Sequence, residues 1–179
     1  MYEIRIGKNI ILRKAKMSDT ENMLKNVWSD ERVFSSMLFQ PTFTLSDADE
    51  RCQTSIKFQQ DHYAYFIALK DTDEAIGLCA ITEYEPNKYA ECGICIGVNH
   101  QGKGYGKEVV ALLLDLAFNE LGADTFKYSY FIENTKSKNL AKSFGFEYLN
   151  SEDIVRPWDN AKKKIDNCIL TKDKYEKKK

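Results

Sequence analysis

Apolar and polar positions alternate along this chain in two rhythms, and the changes of rhythm mark its elements. Residues 10–12 are a short apolar run that predicts a strand. Ser18-Asp19-Thr20-Glu21 then has capping-box spacing ahead of Met23, Leu24, Val27 and Trp28 at helical intervals, so a helix follows directly. Beyond the break at Pro41, Ser46 and Asp47 are candidate N-caps for a second helix, with Ala48, Cys52 and Ile56 on its buried side and its end near Gln60. The period then shortens to two. Residues 65–69, 75–83 and 91–98 are apolar or β-branched runs separated by polar turns at 70–73 and 85–88, which predicts an antiparallel meander.

A glycine-rich segment, 102–106, leads into a strongly apolar helix with Val109, Val110, Leu113, Leu114, Ala117 and Leu121 near one stripe, closed by Gly122. A strand over 125–132, a helix over 134–144 stopped by Gly145, and strands near 146–155 and 164–170 complete the pattern. The predicted order, β-α-α-β-β-β-α-β-α-β-β, is an α/β chain built on one mixed sheet. It is expected to form a single domain over 1–179, with 170–179 as a frayed, solvated tail.

Composition narrows the possible roles. Of 179 residues, 43% are hydrophobic and 30% charged, with only 3 Pro, which suits a packed core rather than a disordered chain. A net charge of -1 supplies no broad positive field, so neither nucleic acid nor membrane is an expected partner. The longest apolar run, 109–114, is far too short to span a bilayer, and the first ten residues lack a secretory signal. The 5 cysteines are odd in number and read as free thiols, and a cytoplasmic location is expected. Cys92-Gly-Ile-Cys95 invites a redox or metal reading. On a strand, however, residues three apart point to opposite faces, and no second ligand pair completes a site. No metal is expected.

The chemistry concentrates where a strand runs into Gln101-Gly102-Lys103-Gly104-Tyr105-Gly106-Lys107 and then into a helix. Successive backbone N–H groups and the positive end of the helix would converge there on an anion, glycines would let the main chain approach it, and Lys103 and Lys107 would add charge. A pyrophosphate fits such a spot. The spacing is not that of a Walker A loop, since Gly102 to Gly106 is one residue short and Glu108 stands at the magnesium-ligand position. Nor is it G-x-G-x-x-G in a first βαβ unit, so a dinucleotide fold is not expected.

Gln101, Gly104 and Gly106 match Q/R-x-x-G-x-G/A, and this stretch resembles the coenzyme A pyrophosphate loop of the GNAT N-acetyltransferase superfamily. The likeness extends over Ile11-Leu-Arg-Lys14, Trp28-Ser-Asp-Glu31, Ala90-Glu-Cys-Gly93 and Asn134-Thr-Lys-Ser137 with Phe144-Gly-Phe146, and is similar to the branch that includes the RimJ/RimL ribosomal-protein N-terminal acetyltransferases. The resemblance implies a GNAT-like fold: a mixed, mostly antiparallel sheet splayed near its middle, with helices on both faces. It implies acetyl-CoA as cosubstrate, with Ile96, Gly97, Val98, the loop 101–107 and Asn134 at the cofactor. The acceptor would be a small-molecule or peptide amine, and the protein a monomer or homodimer.

Strict alternation over 92–98 would put Cys92, Ile94, Ile96 and Val98 on one side and Gly93, Cys95 and Gly97 on a nearly bare side suited to a substrate arm. Glu91 beside it is a candidate general base, and Glu83 a lesser one; a strand-end glutamate in solvent is the plain alternative. Asn134 and Ser137 are candidate helix caps. In the resemblance, the asparagine approaches the pantetheine and Ser137 is the general acid for the departing thiolate. A non-catalytic acetyl-CoA sensor on the same fold is the second functional reading, and a redox dithiol the third.

Overall fold

The computed structural model of the chain describes residues 4–178. Its strands are β1 (Arg5–Ile6), β2 (Ile10–Arg13), β3 (Tyr63–Leu69), β4 (Ala75–Glu85), β5 (Lys88–Ile96), β6 (Thr125–Phe131), β7 (Glu147–Val155) and β8 (Lys162–Thr171). The helices are α1 (Thr20–Met23), α2 (Glu31–Phe34), α3 (Leu45–Asp61), α4 (Tyr105–Asp115), α5 (Thr135–Phe144) and α6 (Lys172–Glu176). The strands form one sheet in the order β1-β2-β3-β4-β5-β6-β8-β7. β5 and β6 run parallel, whereas β1–β2, β2–β3, β3–β4, β6–β8 and β7–β8 are antiparallel. This is the expected mixed sheet. The elements absent from the sequence reading, β1, α2 and α6, are each too short to carry a readable period.

Two compact units make up the described chain, the first running to Ile81 and including Cys92–Leu112, the second comprising Thr82–Glu91 and the residues from Leu113 onward. In the first, Met23, Val27, Trp28, Ala48, Cys52, Phe66 and Cys95 form a buried apolar cluster, with the Trp28 and Phe66 rings edge to face at 6.0 Å. α1 does not begin with the expected Ser18 box. No side-chain hydrogen bond caps α1; Asp19 instead closes the preceding 3-10 turn, Met17–Asp19, its Oδ2 accepting from the Lys16 amide at 2.8 Å while the buried Arg13 guanidinium holds its carboxylate inward at 2.7 and 2.8 Å. α1 then widens into a π-helical turn over Leu24–Trp28. α3 starts two to three residues earlier than Ser46 or Asp47 would have it, with Thr44 as the N-cap accepting from Asp47 N at 3.1 Å.

In the second unit, Tyr128 is tilted against Phe146 at 5.5 Å, while α5 begins with Asn134 as N-cap and ends with Gly145 at φ +83. Fraying, expected over 170–179, is corrected for residues 170–176. β8 runs to Thr171, and α6 follows because it has something to pack on: Tyr175 stacks on Phe118 at 4.8 Å and Lys174 pairs with Glu147. Among the described residues no helix is long and apolar enough to cross a membrane.

Candidate active site

β5 ends at Ile96, a 3-10 turn covers Val98–His100, and the glycine loop then delivers the chain into α4. Gly104 O accepts from both Lys107 N and Glu108 N, at 3.1 and 3.2 Å, so Gly104 caps the helix and the Tyr105 and Gly106 amides that precede these two have no intrahelical acceptor. Gly102 and Gly104 sit at φ +78 and +86, where L side chains are strained, and a Cβ built on either meets nothing within 4 Å. The glycines are therefore not there to avoid the protein itself. They leave one side of the loop's main chain open, with Lys103 and Lys107 exposed in the same loop, an arrangement that could hold a pyrophosphate. Gln101 braces the loop from behind, its Nε2 donating to Ile96 O at 2.8 Å.

Another brace reaches the loop from the amino-terminal hairpin. The Glu108 carboxylate accepts from the backbone amides of Lys8, Asn9 and Ile10 at 3.0–3.1 Å, tying the first turns of α4 to the start of the sheet. Gly97 has a packing reason of its own: its Cβ would stand 2.6 Å from Asn26 O in the π-helical turn, and its amide donates to Ile76 O at 2.8 Å. Val98 packs its side chain against the buried cluster.

The expected bare side of β5 is a second correction. Gly93 is at φ +117, which interrupts strict alternation, and a Cβ on it would lie 3.5 Å from the Met37 methyl. Cys95 is buried in the apolar cluster, its thiol pushed up to about 12 by burial, while Cys92 is exposed. Among the described residues no group of three or more His, Cys, Asp or Glu could hold a metal ion.

The second unit carries the ionisable groups. β5 and β6 pair only from Lys88↔Thr125 to Ala90↔Lys127, and two residues further on the Ser129 amide donates to Glu91 Oε1 at 3.2 Å. A side-chain oxygen thus serves the strand where the ladder has stopped. On the α5 side of β6, Tyr128 Oη lies 2.8 Å from Ser137 Oγ. Burial first, then the charge of Glu91, push the Tyr128 phenol far above the ordinary tyrosine range despite the opposing Ser137 bond. It stays a phenol throughout the physiological range. The Ser137 amide donates to Asn134 Oδ1 at 3.0 Å, so Asn134 is the helix cap and Ser137's hydroxyl is engaged separately.

Residues 9–147 match the acetyltransferase (GNAT) domain family, which accounts for most of the chain. The chain belongs to the GNAT acetyltransferase family. A protein of Bacillus licheniformis named uncharacterized N-acetyltransferase p20 is 30% identical over 161 residues, covering 88% of each chain. The fold is shared with a GNAT-family acetyltransferase from Bacillus anthracis at TM-score 0.81 and 17% identity, over 96% of this chain and 99% of that one. It is also shared with the microcin C7 self-immunity acetyltransferase MccE, determined in complex with acetyl-CoA and AMP, at TM-score 0.77 and 19% identity, over 92% and 93% of the two chains. The protein is thus an acetyl-CoA-dependent N-acetyltransferase of RimJ/RimL type.

Of the residues expected at the acetyltransferase's site, loop residues 101–107 come together in the first unit, and Glu91, Asn134 and Ser137 lie in the second. Tyr128 was missed. Its signal was present as the even positions Phe126, Tyr128 and Tyr130 of a period-two strand, but periodicity names a face and not the helix residue opposite. Tyr130, two residues on, lies beside the Cys168 thiol, its Oη 3.6 Å from Sγ.

Proposed function

We propose that the enzyme acetylates a primary amine, on a peptide N-terminus or a small molecule, by direct attack on acetyl-CoA in a ternary complex. The amine nitrogen forms the new C–N bond as the C–S bond of the thioester breaks; the amine proton passes through water to Glu91, and the CoA sulfur leaves as a thiol. The loop 102–106 holds the pyrophosphate. Of the two amides that follow Ile96, Gly97's is committed to Ile76 O, which favours the Val98 N–H as the one that polarises the thioester carbonyl.

The observation that carries this reading is the Tyr128–Ser137 hydroxyl pair in the same unit as Glu91. A phenol held protonated can donate to Ser137 Oγ, leaving the serine proton to be delivered to the sulfur. Glu91 is ionised when it acts as base, and its anchored Oε1 keeps its carboxylate in place. The test is the pH dependence of CoA release with mass detection of an acetylated amine. Glu91→Gln should lower turnover most near pH 7 and recover partly as free amine accumulates at higher pH; a profile identical to wild type would remove Glu91 as base.

A further inference from the structure

On the far side of Glu91's partner, three strands contribute to one polar network. Ser129 on β6 stands opposite Asn167 on β8, which stands opposite Asn150 on β7. Ser129 Oγ donates to Asn167 Oδ1 at 2.6 Å, and Asn167 Nδ2 donates to Asn150 Oδ1 at 2.8 Å and to Glu152 Oε1. Asn167 is only 3% exposed, so its amide has to be satisfied by the protein, and these bonds use both of its N–H groups and its oxygen.

The backbone is shaped to make this possible. The register of β7 against β8 shifts between Tyr148 and Asn150, leaving Leu149 as the extra residue. Continued from Tyr148↔Cys168 without that shift, the pairing would bring Leu149, with no polar atom in its side chain, opposite the Asn167 amide. The bulge instead brings Asn150 there, and carries Glu152 onto the same face of β7.

Because both Asn167 N–H groups are spent on Asn150 and Glu152, its oxygen must accept, and the Ser129 hydroxyl must be the donor. That hydroxyl proton is thereby directed to Asn167, away from Glu91, whose Oε1 receives the Ser129 main-chain N–H alone of that residue's two donors. We infer that Asn167 is a positioning residue for acetyl transfer: through Ser129 it sets the hydrogen bonding, and hence the basicity, of Glu91. The inference rests on Glu91 acting as the base. Tyr128 on β6 feels the charge of Glu91, which helps keep it neutral; Lys127 on β6 has its Nζ 4.8 Å from the Tyr84 ring, and Glu152 stands at the end of the network. None of them donates a proton to Ser129's hydroxyl or replaces the Asn167 bond.

The test compares Asn167→Asp, made throughout in a Glu152→Gln background, with Glu152→Gln alone, Asn167→Leu, Glu91→Gln and the Glu91→Gln/Asn167→Asp combination in the full-length enzyme. The readouts are kcat and KM for acetyl-CoA across pH, together with thermal unfolding. Asn167→Asp keeps the oxygen that accepts from Ser129 but loses the two N–H donors, so Glu152→Gln is made with it to supply an amide donor to the new carboxylate; the added charge beside Ser129 should then move the acidic limb of the pH–rate profile up by about half a unit to one unit. Asn167→Leu should lower kcat about threefold to tenfold, as expected for coupled neighbours, with KM for acetyl-CoA unchanged. In the Glu91→Gln background Asn167→Asp should move nothing. An unmoved limb in Asn167→Asp, with Glu91→Gln still lacking it, overturns the positioning role and leaves Glu91 as base. A wild-type profile in Glu91→Gln overturns both. Should Asn167→Leu fail to fold, Asn167→Asp in the Glu152→Gln background, which keeps a donor facing the new carboxylate, still decides.

Discussion

Gly104→Ala separates the cost of a strained backbone from the loss of a ligand surface. With φ at +86 the new side chain costs about 1–2 kcal/mol of backbone strain, and since nothing lies within 4 Å of its Cβ there is no clash to add. At about 2–4 °C per kcal/mol for a chain of this size, Tm of the free protein should fall by roughly 2–8 °C. Acetyl-CoA at 100 times its Kd should stabilise the wild type by about 2.7 kcal/mol. The methyl group stands on the open side of the loop, and losing one or two hydrogen bonds from backbone amides to a charged phosphate, each worth about 1.5–3 kcal/mol, raises Kd by roughly tenfold or much more. A hundredfold rise would leave only about 0.4 kcal/mol of stabilisation at the same concentration, by the same mass-action relation. The assay is thermal unfolding with and without acetyl-CoA. Gly122→Ala is the control, because Gly122 also has positive φ, +70, and open space around its Cβ, but lies in the turn after α4. It should lose a similar few degrees in the free protein and keep the full shift with acetyl-CoA. An undiminished shift in Gly104→Ala, or the same loss in Gly122→Ala, would refute the loop as the pyrophosphate site.

Asp19→Ala leaves the Arg13 guanidinium, 3% exposed, without its bidentate partner though still paired with Asp73, and should cost about 1–3 kcal/mol in urea unfolding; Arg13→Met/Asp19→Leu should recover much of that, and a loss below about 0.5 kcal/mol would contradict the pair's burial. Asp73 is held below the usual carboxylate range, first by Lys16 and then by Arg13, so its stabilisation is complete above about pH 4 and is lost as pH falls through the lower folded value. Wild type should therefore lose more Tm between pH 5 and 3 than Asp73→Asn does, and equal losses would assign the acid sensitivity elsewhere. Iodoacetamide at pH 8 should label exposed Cys92 in the native protein, whereas Cys95 and Cys79, whose thiols burial pushes up, should be labelled only after unfolding; peptide mass spectrometry reads the difference.

What the sequence determined by itself is local. Gly102 and Gly104 stand in a strand-to-helix turn that needs positive φ, Asn134 caps a helix through an amide three residues away, and Gly145 ends it in the left-handed region. Each depends on neighbours within one turn of chain, which is why composition and spacing were enough, and why the loop's resemblance to a coenzyme A site was readable. Packing decided the rest. The interruption at Gly93 cancelled the alternation expected for β5, because parity survives only while every residue keeps extended geometry. The contact of Tyr128 with Ser137 requires β6 to lie beneath α5, and the Ser129–Asn167–Asn150 line requires three strands in register with one residue, Leu149, left over. A period of two tells which positions share a face. Which strand lies alongside, and which residue stands opposite, follows from contacts between segments far apart in the chain, and only the folded sheet supplies those.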